Sequence, residues 1–100
     1  MTITSEKTDE FIKINVEGSI DVINAQVLQD AILKAFQEST VIHVDMEKAT
    51  YICSSGLRAF LLGQKTAKSK GGAMKLFNVN ETVMNVFSLT GFDNVLEIIK

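Results

Sequence analysis

The apolar residues of this chain follow two periodicities that alternate along the sequence, and this alternation limits the folds that it can adopt. In the segment FIKINVEG, Ile12, Ile14 and Val16 fall on every second residue, which is the spacing of one face of a β-strand. In NAQVLQDAILKAF, the apolar residues recur at intervals of three and four, which is helical spacing. Strand and helix spacing alternate again further along, so the sequence predicts an α/β fold.

The other segments complete this order of elements. TITSEKTDE predicts a short strand and a turn, which would form an N-terminal hairpin with FIKINVEG. VIHVDM predicts a buried strand that TYIC either extends or follows, MKLFNV predicts another strand, and NVLEIIK predicts a last strand or a short helix. A second helix is expected from Ser54 to about Lys70, and a third from Asn80 to Gly91. This order predicts a mixed sheet whose later strands are parallel and covered by helices.

Each predicted helix has a cap or stop signal and a face that is expected to be buried. Asn24 and Asn80 are candidate N-caps, and Gly71, Gly72 and Gly91 are candidate stops. Gly63, in the middle of the second helix, indicates close packing or a tolerated defect. The residues expected to face the core are Leu28, Ala31, Ile32, Ala35 and Phe36 in the first helix, Leu57, Phe60, Leu61 and Ala67 in the second, and Val83, Val86 and Phe87 in the third.

The length and the cysteine content of the chain limit its organisation and environment. A chain of 100 residues has the size of one domain with one core. The single cysteine, Cys53, rules out an intrachain disulfide and favours a reducing compartment. The N-terminal segment is polar, and no apolar run approaches the roughly 20 residues that span a bilayer. We therefore expect a cytoplasmic protein that does not interact with a membrane.

No arrangement of residues in the sequence matches a known catalytic signature. Glycine-rich phosphate loops and the Gly-x-Ser-x-Gly pattern are absent, and the potential metal ligands are too few and wrongly spaced for zinc. The single histidine, His43, falls in mid-strand on the face opposite Ile42 and Val44, where a partly buried or edge residue is expected. A dyad of His43 with Cys53 stays open as an alternative. We expect a protein that is not an enzyme and that uses no cofactor and no metal.

The loops GSID and CSSG are the candidate functional loops, because sites in such sheets lie at the carboxyl ends of the strands. A serine that precedes a helix most often caps it, by accepting a hydrogen bond from a free backbone N–H of the first turn. The same position also suits a phosphoserine, because free N–H groups and the helix dipole stabilise the phosphate. Arg58 lies within one turn and is able to pair with that phosphate. Both interpretations stay open on the residues alone.

Charge is unevenly distributed along the chain. Residues 1–50 carry a net charge of −5 and residues 51–100 a net charge of +3, and every charged residue from Arg58 to Lys75 is basic. This basic stretch is either a solvated helix face or a surface that faces a partner. Leu62, which lies among the basic residues, is either a contact point for that partner or packs against a neighbouring helix. The total of −2 argues against nucleic acid as a direct partner.

Three segments share features with a known family, namely GSID, VIHVDMEKATYICSSGLRAFLL and GGAMKLFNVNETVMNVFSLTGF. Together they resemble the bacterial anti-sigma factor antagonist family, the STAS domain, and keep its order and spacing over nearly the whole chain. The resemblance implies a STAS-like mixed sheet of four to five strands with an N-terminal hairpin, packed against three to four helices. It also implies a single STAS domain over residues 1–100.

The resemblance further implies a function. Members of the family bind an anti-sigma factor that is also a serine kinase, and so release the sigma factor. The kinase phosphorylates the antagonist and abolishes this binding, and a phosphatase restores it. Ser55 matches the serine that takes the phosphate, and Asp21 matches an aspartate near it. The residues expected to contact the partner are Asp21, Ser54, Ser55, Gly56, Arg58 and Leu62.

Cys53 departs from the family pattern, which has an aspartate at this position. The missing charge is expected to alter recognition by the kinase. The thiol is either a small packed residue at the end of a strand or a redox-sensitive group. Two further functions stay open: a STAS-type binding or scaffold module without phosphate turnover, for example in a lipid-transport complex, and a small enzyme that uses Cys53 or a serine.

Overall fold

The computed structural model describes residues 1–100 and places all the strands in one five-stranded sheet. The elements are β1 (Thr2–Lys7), β2 (Ile12–Ile20), α1 (Ala25–Glu38), β3 (Val41–Ile52), α2 (Ser54–Ser69), β4 (Ala73–Phe77), α3 (Glu81–Thr90), a 3₁₀ turn (Phe92–Asn94) and β5 (Glu97–Ile98). The strands follow one another across the sheet in chain order. β1 pairs antiparallel with β2, and the three later pairs are parallel. The predicted hairpin and mixed sheet are therefore confirmed.

The apolar core lies on one face of the sheet, beneath the helices. Alternation within the strands buries Ile12, Ile14 and Val16 of β2 and Met74 and Leu76 of β4. These side chains belong to a single cluster of 23 buried apolar residues that also includes the inward faces of α1, α2 and α3. Burial of this cluster is the main source of stability for a domain of this size.

Helix α2 comes unusually close to α1 and β4 at Gly63. A Cβ on Gly63 would lie 2.7 Å from Met74 Sδ and 2.9 Å from Ile32 Cγ2, which is closer than unstrained atoms approach. The absent side chain therefore lets α2 pack directly on both α1 and β4. This confirms that the mid-helix glycine marks close packing.

The predicted helix ends are confirmed at α2 and α3. Two hydrogen bonds close the end of α2, from Gly72 N–H to Ala67 O at 2.9 Å and from Gly71 N–H to Lys68 O at 3.2 Å. Asn80 caps α3, since its side-chain oxygen accepts a hydrogen bond from Val83 N–H at 3.0 Å. The Asn80 amide also donates to the carbonyl of Ala49, which attaches the start of α3 to β3.

The structure refines the sequence-based expectations in three places. TYIC extends the preceding strand, so that β3 is one continuous strand of 12 residues. NVLEIIK contains both a turn and a strand, but β5 has only two residues. Three residues expected in the core are half-buried because they lie at the margins of their helix faces, namely Ala31, Leu61 and Val86. No helix has both the length and the apolar character needed to cross a bilayer.

The turn between α2 and β4 yields a test of this packing. A Cβ on Gly72 would collide with the backbone carbonyl of Thr40, which also accepts the Ala73 N–H. Backbone cannot move aside as a flexible side chain can, so we expect Gly72→Ala to lower the free energy of unfolding by about 3 kcal/mol or more. Urea denaturation measures this change.

Gly71→Ala is the matched control. Gly71 has open space around its Cβ position and a φ of +68°, so only left-handed backbone strain opposes the methyl group. That strain costs about 1–2 kcal/mol. An equal loss of stability in the two variants would contradict the proposed collision at Gly72.

Candidate functional site

Two loops meet at the end of the sheet where the parallel strands finish, which we call the carboxyl edge. In the parallel pair β2 and β3, Ser19 lies opposite Tyr51 and Ile20 lies opposite Ile52. Beyond this pairing, Cys53 N–H donates a hydrogen bond to Ile20 O at 3.0 Å. The loops GSID and CSSG are therefore adjacent, as the order of elements predicts.

The two serines lie inside the first turn of α2 and do not cap it. Cys53 keeps an extended backbone, with φ −93° and ψ 177°, so the first helical residue is Ser54. Neither serine hydroxyl makes a hydrogen bond within the protein, and Ser54 is exposed whereas Ser55 is half-buried. The interpretation of the serines as N-caps is therefore wrong, because the cap position falls one residue earlier.

The start of α2 presents backbone donors that have no partner. The first hydrogen bond of the helix runs from Leu57 N–H to Cys53 O at 3.1 Å, which leaves the N–H groups of Ser54, Ser55 and Gly56 without an acceptor in the protein. Arg58 is exposed and forms no ion pair. This end of the helix therefore has a local positive potential that favours an anion.

Gly56 anchors this turn on the ends of the strands. A Cβ there would lie 2.7 Å from both Ile20 Cγ2 and Ile52 Cγ1, so the absent side chain lets the helix start directly above β2 and β3. Arg58 and Leu62 follow Ser55 at spacings of three and seven residues, which places all three on one side of α2. Leu62 is half-buried, so it is less available to a partner than Arg58.

Asp21 has a structural role in the loop before α1. Its carboxylate Oδ1 accepts hydrogen bonds from Ile23 N–H and Asn24 N–H, both at 2.9 Å. In return, Asn24 Oδ1 accepts from Asp21 N–H at 2.8 Å, and its amide donates to Ser19 O at 2.9 Å. This reciprocal pair is a capping box. The prediction that Asn24 caps α1 is wrong, since its side chain makes no bond to the first turn of the helix.

Two exposed apolar residues in this loop were not predicted from the sequence. Val22 and Ile23 are 72% and 89% exposed, between the two members of the capping box. The signal in the sequence is the spacing Asp-x-x-Asn before a helix, which resembles that of a capping box and indicates a turn at these two residues.

His43 lies far from the carboxyl edge. It is ten residues before Cys53 along the strand direction, a separation on the order of 30 Å, so the two cannot form a dyad. The His43 ring is half-buried on the helix-free face of the sheet, stacked on Phe11 with 4.0 Å between centroids and tilted against Phe77 at 4.7 Å. This confirms the expectation of a partly buried residue on the face opposite the core.

Two pKa shifts occur on that helix-free face. Burial lowers the pKa of His43, and the nearby Lys75 lowers it further against the opposing effect of Glu97. Burial disfavours the charged form of Asp45, but hydrogen bonds from the Glu47 N–H and from the Asn78 amide outweigh it and lower its pKa. Lys13, 3.6 Å from Asp45, acts in the same direction.

The fold and the site together define a class of protein: an α/β domain with its helices on one face of a mixed sheet and a serine pair at the start of the helix after the central strand. The sequence matches the family model of the STAS domain over residues 2–100. The chain therefore belongs to the STAS domain family.

Several anti-sigma factor antagonists are similar to this chain over most of its length. The anti-sigma-B factor antagonist of Bacillus subtilis (strain 168) is 26% identical over 98 residues, which are 98% of this chain and 90% of that protein. The anti-sigma factor antagonist SpoIIAA in its unphosphorylated form superposes with a TM-score of 0.83 at 22% identity, over 99% of this chain and 89% of that one. The phosphorylated form of the Bacillus cell fate determinant SpoIIAA gives a TM-score of 0.76 at 24% identity, over 99% and 92%.

The capping box predicts a specific effect of substitutions at Asp21. Asp21→Ala removes the acceptor of two backbone N–H groups and is expected to lower the free energy of unfolding by about 1 kcal/mol. Asp21→Ser keeps a short side-chain oxygen at the same position and is expected to lose less than half of that. Thermal unfolding compares the two variants, and equal losses would show that the carboxylate does not act as a cap.

The stacked imidazole predicts a pH dependence of stability. Because the folded protein lowers the pKa of His43 below its ordinary value of 6.5, the unfolded chain binds the proton more readily. The protein should therefore lose stability as the pH falls from 7.5 to 5.5. In His43→Phe, which keeps an aromatic ring but cannot titrate, this loss should be smaller. Urea unfolding at both pH values measures it, and identical pH dependence in both proteins would exclude His43 as the source.

Proposed function

We propose that this protein is an anti-sigma factor antagonist, which binds an anti-sigma factor serine kinase and thereby releases a sigma factor. The observation that carries the proposal is the match over nearly the whole chain to relatives that bear this name. We further propose that the kinase inactivates the protein by phosphorylating Ser55 and that a phosphatase reverses this step. On this proposal the protein is a cytoplasmic regulator that acts by binding, and not an enzyme.

The geometry of α2 supports Ser55 as the modified residue. A phosphate on this side chain lies in the first turn, where the unpaired N–H groups of residues 54–56 are available as donors. Arg58 is three residues further on and has no competing ion pair. A phosphate is therefore compatible with the existing backbone, and SpoIIAA, which has the same fold, exists in both phosphorylated and unphosphorylated forms.

The proposed switch acts through charge. In the unphosphorylated protein, the serine turn and the basic side of α2 dock on the partner, through Ser54, Ser55, Gly56, Arg58 and Leu62, with Asp21 in the adjacent loop. Phosphorylation adds a charge of about −1.5 to −2 at the centre of this contact. A buried charge without its partner costs about 2–5 kcal/mol, which weakens binding very roughly 30-fold to several-thousand-fold.

The cysteine before the serines is expected to affect the rate of phosphorylation. Cys53 is half-buried and in backbone contact with Ile20, so it occupies the position of a packed residue at the end of β3. The carboxylate that the family pattern places there is absent, and we expect slower phosphorylation than in a protein that has it.

The modified residue is tested by incubation with the cognate kinase and ATP, followed by mass spectrometry of the peptides. We expect one phosphate, on Ser55. Ser55→Ala should abolish the modification, and the matched control Ser54→Ala should retain it. Binding to the kinase, measured by calorimetry, should be at least about 30-fold weaker for Ser55→Asp than for the unmodified protein.

Each alternative gives a different result in these experiments. Phosphate on Ser54 would refute the assignment of Ser55. Binding to an anti-sigma factor without any phosphate transfer would refute the kinase step and favour a STAS-type binding module. Equal affinity of Ser55→Asp and the unmodified protein would remove Ser55 from the interface.

A further inference from the structure

Two aliphatic side chains next to the serine turn are almost completely exposed. Ile23 is 89% exposed and Val22 is 72% exposed, whereas no residue of the apolar core exceeds 5%. Val27, 55% exposed, lies four residues after Ile23 and continues the apolar surface along α1. We call Val22, Ile23 and Val27 the loop patch. Exposed apolar residues that are contiguous, rather than scattered singly, are typical of protein interaction surfaces.

The loop patch is held rigidly. The capping box of Asp21 and Asn24 encloses Val22 and Ile23 with three hydrogen bonds of 2.8–2.9 Å. A further bond, from Ala25 N–H to Asp21 O at 3.0 Å, closes the same turn through the backbone. A partner that binds this turn does not need to order it first, so little of the binding free energy is lost to conformational entropy.

The loop patch and the turn that contains Ser55 lie on neighbouring loops at the carboxyl edge. Ile20, the residue before the capping box, accepts the backbone N–H of Cys53, the residue before the serines. Gly56 of the serine turn packs on the Ile20 side chain. A protein that covers the start of α2 therefore extends over the loop between β2 and α1.

We propose that Val22 and Ile23 anchor the anti-sigma factor by inserting into an apolar pocket of that partner, beside the region that contacts Ser55. This inference rests on the proposed function. Aliphatic side chains do not change with phosphorylation, so the loop patch contributes affinity and selects the partner whose pocket fits it. Ser55 provides the switch. Affinity and switching therefore depend on different residues of one interface.

The experiment is calorimetric titration of the cognate anti-sigma factor with the unphosphorylated protein and with three variants. Each variant replaces one exposed apolar residue by serine. Ile23→Ser and Val22→Ser test the anchor. Leu89→Ser is the matched control, because Leu89 is 87% exposed but lies near the end of α3, about 12 Å along the helix from the carboxyl edge at which α3 begins. All three side chains are exposed, so the variants should unfold at the temperature of the wild-type protein.

We expect Ile23→Ser to weaken binding by about 10- to 100-fold, the range for loss of one buried aliphatic side chain. Leu89→Ser should stay within about twofold of wild type. Suppose that Ile23→Ser and Val22→Ser both bind with wild-type affinity while Ser55→Asp loses binding. That result would overturn this inference and leave the proposed function standing.

Two other outcomes would also overturn it. If the wild-type protein fails to bind the anti-sigma factor, the proposed function falls together with the anchor. If Ile23→Ser converts a dimer into a monomer in sedimentation velocity without changing affinity for the anti-sigma factor, then the loop patch binds a second copy of this chain instead.

Discussion

The parallel pairing of β2 with β3 is the interaction on which the rest of the structure depends. It brings the ends of both strands to one edge of the sheet, and the bond from Cys53 N–H to Ile20 O extends the pairing one residue past β3. Without that register, the loop with Asp21 and the turn with Ser55 would not form one surface. The candidate site therefore depends on backbone geometry, because the side chains of the two loops lie near one another only when both strands end at the same edge.

The elements of the fold were predictable because each has a strong local signal. Alternation marks β2, helical spacing marks α1, and Asn80 with Gly91 marks both ends of α3. The half-buried positions were less predictable, because residues such as Leu61 lie at the margin of a helix face where the neighbouring element decides the burial. The short β5 was ambiguous because two residues carry no periodicity.

The candidate site was predictable in its location but not in its hydrogen bonding. The order of elements places both loops at the carboxyl edge, and the structure shows them adjacent. A serine caps a helix only when its own backbone is still extended, and the sequence does not show where the helical angles begin; here Cys53 is extended and Ser54 is already helical. The loop patch was not predicted because two adjacent apolar residues between Asp21 and Asn24 have no periodicity that indicates which way they face, whereas the structure shows both exposed.

The contact of Gly56 with the ends of β2 and β3 fixes the height of the serine turn above the sheet. Its backbone rests on Ile20 and Ile52 with no intervening side chain, so these two residues block movement of the turn toward the strands. A charge placed on a flexible loop is able to swing into solvent, and much of its repulsion is then relieved. A charge placed on this turn stays where it is added. With the proposed phosphate on Ser55, the added charge would therefore face a docked protein from one fixed position.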